Sequence, residues 1–230
     1  MTNVFMYISQ VFFPAITQRG IKLSGPILQG EQLWRLATPM FLHGGLPHLL
    51  TNTYSLQAVG NDVERYFGPG RYIFTYLMSG VVANYVSALK TPNPSLGASG
   101  AVFGIVGAYY VFLNRNAHVF GRQGEAMSGA ISRTIMMNVI LGSMSPMVDN
   151  WSHLGGAIGG AACAYLFGPR LMVGDTPTGA RTIVDKPILR LPKVFEEMPD
   201  TVGERMRMMK RRMQVESFQS GTFSREKHLF

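Results

Sequence analysis

The sequence predicts an all-α membrane protein, a bundle of six transmembrane helices followed by a soluble, basic tail. Only 15% of the 230 residues are charged, against roughly a quarter in an ordinary soluble domain. Residues 1–168 hold 14 of these charges and residues 169–230 hold 20. The first part also contains six long windows without Asp, Glu, Lys or Arg: 1–18, 36–61, 72–89, 91–114, 134–148 and 150–169. We therefore predict a membrane domain over 1–170 and a partly helical or disordered tail over 171–230.

Most of the charge-free windows are long enough for a helix to cross a bilayer. About 20 apolar residues in a helix cross a hydrocarbon core of roughly 30 Å. The second, third, fourth and sixth windows are long enough. The fifth is short, but residues 126–133 can extend it with Arg133 reaching the interface. The first has a marginal apolar part over 4–17. The alternative is a soluble bundle of unusually apolar helices.

Positive charges predict the orientation. If the helices alternate in direction, the loops at 62–71 and 115–133 share one side with the tail, and this side holds 17 of the 21 Lys and Arg residues. The positive-inside rule places it in the cytoplasm, matrix or stroma. The net charge of +8 then indicates contact with a lipid bilayer rather than with nucleic acid. A single cysteine, Cys163, excludes an internal disulfide and a multi-cysteine metal site.

Five polar residues lie in or beside the predicted spans: His43, His48, Asn52, Ser99 and His153. Polar groups in a span are costly and usually face the bundle interior. The second, fourth and sixth helices all begin on the side opposite the tail. The five residues therefore share one level of the membrane, which predicts a common site.

The residue types at this level indicate acyl-transfer chemistry. Ser99 is a candidate nucleophile, which needs a base, and His153 is a candidate base. Asp149 can either orient His153 or cap the helix. His48 and Asn52 lie four residues apart on one helix face and can donate hydrogen bonds to an oxyanion, together with the Ser99 backbone N–H. The alternative for each residue alone is an ordinary packing or hydrogen-bonding role.

Other site types fit less well. The run Gly97-Ala98-Ser99-Gly100-Ala101 lacks the second glycine of the Gly-x-Ser-x-Gly elbow of soluble hydrolases. The chain has no His-Glu-x-x-His motif, and the trio His43, His48 and Asn52 lacks a carboxylate or thiolate partner for zinc. We expect neither a metal nor a cofactor.

The motifs resemble those of the rhomboid intramembrane serine proteases. The resemblance covers roughly residues 30–170 and rests on Trp34-Arg35, the run at 38–45, His48 with Asn52, Gly60, Glu64, Phe67-Gly68, Gly97-Ala98-Ser99-Gly100 and His153-Leu154-Gly155-Gly156. It implies a six-helix core that cleaves transmembrane segments of other proteins through a Ser99–His153 dyad. It also implies an oxyanion site from His48, Asn52 and the Ser99 N–H beside Gly97, supported by His43, with Phe103 packing on the base histidine.

Residues 149–153 and 167–170 look like the plastid rhomboids of plants and algae. That resemblance implies a multi-pass protein of a chloroplast membrane, with a mitochondrial or other membrane as the alternative. The chain opens on a short first helix without a Ser- and Arg-rich transit peptide, which leaves the organelle open. The sequence does not fix the oligomeric state. Alternative functions are an inactive relative that binds client transmembrane segments and a small transporter.

The tail contains one amphipathic pattern. Val202, Met206, Met209 and Met213 recur at helical spacing, with arginines and a lysine on the other faces. This pattern predicts a helix that lies on an anionic membrane surface, or a solvated or partner-binding helix. Because it lies on the side opposite the site, we expect the tail to be dispensable for chemistry.

Overall fold

The computed structural model describes residues 1–143, 145, 148–175 and 181–198. These residues are mostly helical, as expected. The helices are α1 (Thr2–Phe12), α2 (Ala15–Gly20), α3 (Ser24–Leu28), α4 (Leu46–Phe67), α5 (Pro69–Lys90), α6 (Ser99–Arg115), α7 (Ala117–Ser143), α8 (Asn150–Phe167) and α9 (Lys193–Glu196). A hairpin of β1 (Leu171–Asp175) and β2 (Arg181–Asp185) follows α8.

Helix α4 begins later than the charge-free window 36–61 predicts. Residues 33–41 form two short 3₁₀ turns, Leu33–Leu36 and Thr38–Phe41, and the chain bends at Gly44 and Gly45 before α4 begins. Pro39 and the Gly44-Gly45 pair interrupt a helix there, and Pro47 suits the first turn of α4. His43 therefore lies in the loop before α4 rather than within a helix.

Helix α7 is longer than its charge-free window, because it begins at Ala117 and carries Arg122, Glu125 and Arg133. Gly121 interrupts it with φ 51° and ψ −143°, a backbone conformation that glycine adopts without a steric penalty. The first helix, α1, has 11 residues and rises about 16 Å, roughly half a hydrocarbon core. By length and hydropathy taken together, Pro69–Lys90 is the one helix in the described ranges that qualifies as a membrane span.

Helices α5, α6 and α8 each pack against the other two, and small residues bring the three backbones together. A Cβ atom built on Gly100 would lie 2.6 Å from the Cβ of Ala83 in α5 and 2.6 Å from the Oγ of Ser152 in α8. A Cβ on Gly156 would overlap the carbonyl oxygen of Gly100, and one on Gly160 that of Gly104. This close approach replaces the hydrophobic drive that helices lack in lipid, as the glycine spacing predicts.

The C-terminal ends of α4 and α6 meet in an aromatic core. The ring of Phe112 lies 5.0 Å from Tyr66, 5.5 Å from Phe67 and 5.5 Å from Phe120 between centroids. Edge and tilted ring contacts of this kind add to the stability gained from burial alone. The polar start of α6 is therefore held by glycines and its far end by large side chains.

The first part of the tail is folded onto this far end of the bundle. The β1–β2 hairpin is antiparallel, with Leu171 opposite Asp185, and Asp185 pairs with Arg71 at the start of α5. Asn116 accepts from the Leu171 N–H at 2.8 Å and donates to the Pro169 carbonyl at 3.1 Å. The sequence pattern indicated no strands here. The predicted helix at 202–213 lies outside the described residues.

Candidate active site

Ser99 is the first residue of α6, and a glycine turn places it there. Gly97 adopts φ 139°, a conformation that side-chain-bearing residues rarely take, and its N–H donates to the Pro39 carbonyl at 3.0 Å. The chain then turns directly into the helix. This half-buried serine lies at a helix N-terminus, where backbone N–H groups have no intrahelical partner and can stabilise negative charge.

His153 lies near the start of α8 and packs against α6. Its imidazole stacks on the ring of Phe103, with centroids 4.2 Å apart and planes at 14°. Phe103 is one helical turn after Ser99, and Gly100 packs on Ser152, the residue before His153. The structure thus brings the turns that carry Ser99 and His153 together. Within the described ranges, their side chains share no hydrogen bond.

His48, in the first turn of α4, lies beside the turn that leads to Ser99. A Cβ on Gly97 would be 2.7 Å from Cε1 and 2.8 Å from Nε2 of the His48 ring, so a side chain there would displace the imidazole. The ring of His43 makes an edge contact with that of His48, with centroids 5.3 Å apart. Neither ring nitrogen of His43 has a hydrogen-bond partner among the described residues.

Asn52 is buried one turn further along α4 and donates to the His48 carbonyl at 3.1 Å. That bond lies within its own helix. His43, His48 and Gly97 thus form a cluster beside Ser99, whereas no hydrogen bond within the described ranges joins Asn52 to Ser99 or His153.

The short helix α1 fixes the loop that carries His43. The side-chain amide of Gln10 donates to the His43 carbonyl at 3.2 Å, and its oxygen accepts from the His43 N–H at 2.9 Å. Gln10 is 8% exposed. Sequence reasoning missed this residue, although a glutamine inside the first charge-free window was the available signal.

Asp149 caps α8, which was one of its two predicted roles. Its carboxylate accepts from the Ser152 N–H at 3.0 Å, the usual N-cap bond. The described residues contain no group of three or more His, Cys, Asp or Glu side chains suited to a metal ion. A hydroxyl, an imidazole and backbone N–H groups at one helix start are suited to nucleophilic attack on a carbonyl followed by oxyanion binding.

Comparisons with known proteins identify the family. A rhomboid domain matches residues 30–170. The chain is 40% identical to the rhomboid protease GluP of Bacillus subtilis (strain 168) over 149 residues, which are 65% of this chain and 29% of that protein. It is 34% identical to the chloroplastic RHOMBOID-like protein 9 of Arabidopsis thaliana over 159 residues, 68% of this chain and 36% of that one.

The family also includes an inactive member among the similar proteins. Inactive RHOMBOID-like protein 8 of Arabidopsis thaliana is 34% identical over 134 residues, 57% of this chain and 37% of that protein. The chain spans about a third of the length of these three relatives. Rhomboid proteins are integral membrane proteins. Because the domain match covers more than half of its residues, the chain belongs to the rhomboid family.

Proposed function

We propose that this protein is an intramembrane serine endopeptidase that cleaves transmembrane segments of other membrane proteins. The observation that carries the proposal is the packing of the Ser99 turn of α6 against the His153 turn of α8, fixed by the 4.2 Å stack of Phe103 on His153. A free serine hydroxyl is a weak nucleophile, and a neighbouring imidazole is the base that activates it most often.

The mechanism follows from these roles. The Ser99 Oγ attacks the scissile carbonyl carbon while His153 accepts the hydroxyl proton. The carbonyl oxygen becomes an oxyanion, which the Ser99 N–H, His48 and Asn52 stabilise above the Gly97 turn. His153 then gives its proton to the leaving amine, and an acyl-enzyme remains. Water activated by His153 hydrolyses the ester and restores Ser99. Catalytic hydrogen bonds often tighten only when substrate binds, so we expect the Ser99–His153 hydrogen bond to form in the complex with substrate.

A six-span membrane bundle is part of the proposal. Large apolar side chains point outward at helical spacing, as in α4, where Leu46, Leu50 and Tyr54 are all more than half exposed. Polar side chains of α5 point inward, where Ser79 and Ser87 are fully buried. Apolar surfaces of this extent on a soluble monomer would be unusual, whereas lipid covers them. The plastid membrane stays a prediction, since the chain is more similar to the bacterial GluP than to the chloroplastic RHOMBOID-like protein 9.

The test is cleavage of a model transmembrane substrate by the purified full chain in liposomes. Wild type should produce fragments cut within or beside the membrane segment, and Ser99→Ala and His153→Ala should produce none while they still bind the substrate. The inactive relative makes a client-binding protein the second candidate function. Binding without cleavage by wild type would favour that second function, and unchanged cleavage by Ser99→Ala would remove Ser99 from the mechanism.

A further inference from the structure

Lys22 is the most deeply buried charged side chain in the described part of the chain, with 0% exposure. It lies between α2 and α3, in a segment without a predicted role. Its ammonium donates to the Oγ of Ser87 at 2.9 Å and to the Thr91 carbonyl at 3.4 Å. Burial lowers the pKa of Lys22, and the Asp149 carboxylate opposes that shift. Such a group is retained only where its hydrogen bonds and charge are satisfied.

The chain of hydrogen bonds from Lys22 has a fixed direction. An ammonium only donates and a carboxylate only accepts. The Ser87 hydroxyl accepts from Lys22, so its own proton is directed to Asp149, with which it makes a short hydrogen bond. The second oxygen of Asp149 accepts from the Ser152 N–H. Lys22 is therefore connected through two side chains to the first turn of α8, which carries His153.

The backbone of Lys22 is connected to the other half of the proposed dyad. Its N–H donates to the Ser95 carbonyl at 2.9 Å and its carbonyl accepts from the Ser95 N–H at 3.4 Å. Ser95 comes four residues before Ser99, and Asp149 comes four residues before His153. One buried residue thus holds the segments that precede both members of the dyad.

The segment that carries Lys22 is itself fixed from the opposite side. Arg35, 7% exposed, donates to the carbonyls of Gln18 and Ile21, and Trp34 donates to the Arg19 carbonyl at 3.2 Å. These contacts give the Trp34-Arg35 pair of the sequence a physical role. They leave the position of Lys22 little freedom, as a positioning group requires.

We infer that Lys22 and Ser87 are positioning residues that act through Asp149 and Ser95 to set His153 against Ser99. This inference rests on the proposed function. The hydrogen-bonded relay of Lys22, Ser87 and Asp149 does not touch the reacting atoms. Its effect comes from geometry, because a shift of about 1 Å between catalytic groups can lower a rate about 100-fold.

The decisive variant is Ser87→Ala, which removes the link between Lys22 and Asp149 with the loss of one oxygen. Ser79→Ala is its matched control, because Ser79 is also fully buried in α5 but bonds only to the backbone carbonyls of Tyr76 and Ala101. Ser87→Thr keeps the hydroxyl and serves as the rescue variant. Lys22→Met, alone and combined with Ser87→Ala, tests whether the two residues act as one unit.

Two readouts separate positioning from stability in the full chain reconstituted in liposomes. One is kcat and KM for a model transmembrane substrate, and the other is the second-order rate with which a fluorophosphonate labels Ser99. We expect Ser87→Ala to lower kcat and the labelling rate by about tenfold with KM unchanged, and Ser87→Thr to recover most of both. Ser79→Ala should change both rates less than twofold, even where its Tm falls equally.

The double variant should be no slower than about the slower of Lys22→Met and Ser87→Ala, because either change breaks the same relay. Equal rates for Ser87→Ala and Ser79→Ala, or additive losses in the double variant, would overturn the relay and leave the proposed function standing. A wild type that neither labels nor cleaves would refute the proposed function, and the relay with it.

Discussion

A single methyl group at Gly100 should separate the two halves of the proposed active site. Its Cβ would lie 2.6 Å from the Cβ of Ala83, whereas carbon atoms pack at about 3.5–4.0 Å. Helix α6 must therefore move about 1 Å away from α5 at this point. The Ser152 Oγ, also 2.6 Å away, blocks the shift toward α8. Because Ser99 and His153 adjoin these two residues, the strain falls on the proposed dyad.

The expected cost of Gly100→Ala is about 1–3 kcal/mol of unfolding free energy, the usual range for overpacking, and about a 100-fold loss of cleavage rate. Unfolding in mixed micelles and cleavage of a model transmembrane substrate measure the two effects. Gly129→Ala is the matched control, since the nearest atom to its Cβ is a flexible arginine terminus at 3.5 Å. It should be neutral or gain up to about 1 kcal/mol from helix propensity.

A compensating substitution tests the cause of that loss. Ala83→Gly removes the methyl group that the new Cβ meets, so Gly100→Ala combined with Ala83→Gly should recover much of the lost stability and rate. The argument from close packing fails if Gly100→Ala is as stable and active as Gly129→Ala. It also fails if the double variant is worse by the sum of the two single effects, since contacting residues should couple.

Three further predictions use the same assay. His48→Ala should lower kcat about 10²–10³-fold with little change in KM, because an oxyanion exists only after attack; a selective rise in KM would contradict this role. Phe103→Ala should lower kcat/KM about tenfold through loss of a ring stack of about 0.5–1.5 kcal/mol, and an unchanged value would show that the stack does not hold His153. Truncation after Met198 should leave cleavage intact. Truncation after Arg170 should lower Tm by several degrees, because it removes the hairpin contacts to Arg71 and Asn116. Equal Tm values for the two truncated proteins would contradict that packing.

The sequence allowed the helical character to be predicted, because it follows from where charges are absent, whereas the common membrane level of the polar residues stays a prediction. The start of α4 could not be read in this way. Residues 36–45 are as free of charge as the helix itself, and only the structure shows that the 3₁₀ turns and the glycine pair take the first part of the window. The six-span count stays a prediction, since hydropathy and length together select α5 within the described ranges.

Long-range hydrogen bonds account for what the sequence did not reveal. The sequence predicts that Lys22 is an ordinary loop charge, because no neighbouring residue in the chain distinguishes a buried lysine from an exposed one. Its partner Ser87 is 65 residues away. The hairpin after α8 escaped prediction for a similar reason, because contacts with Asn116 and Arg71, rather than strand propensity alone, hold it in place.

These contacts assign an organising role to α5, a helix without any proposed catalytic residue. Two of its buried polar side chains bind segments that support the site: Asn84 donates to the Leu36 carbonyl at 2.9 Å, and Ser87 binds Lys22 and Asp149. In lipid, helices gain little from burying apolar side chains against one another, so close backbone packing and interhelical hydrogen bonds must fix their relative positions. It follows that substitutions of Asn84 and Ser87 should alter catalysis, whereas substitutions of Tyr85 and Leu89 in the same helix, both about half exposed, should not.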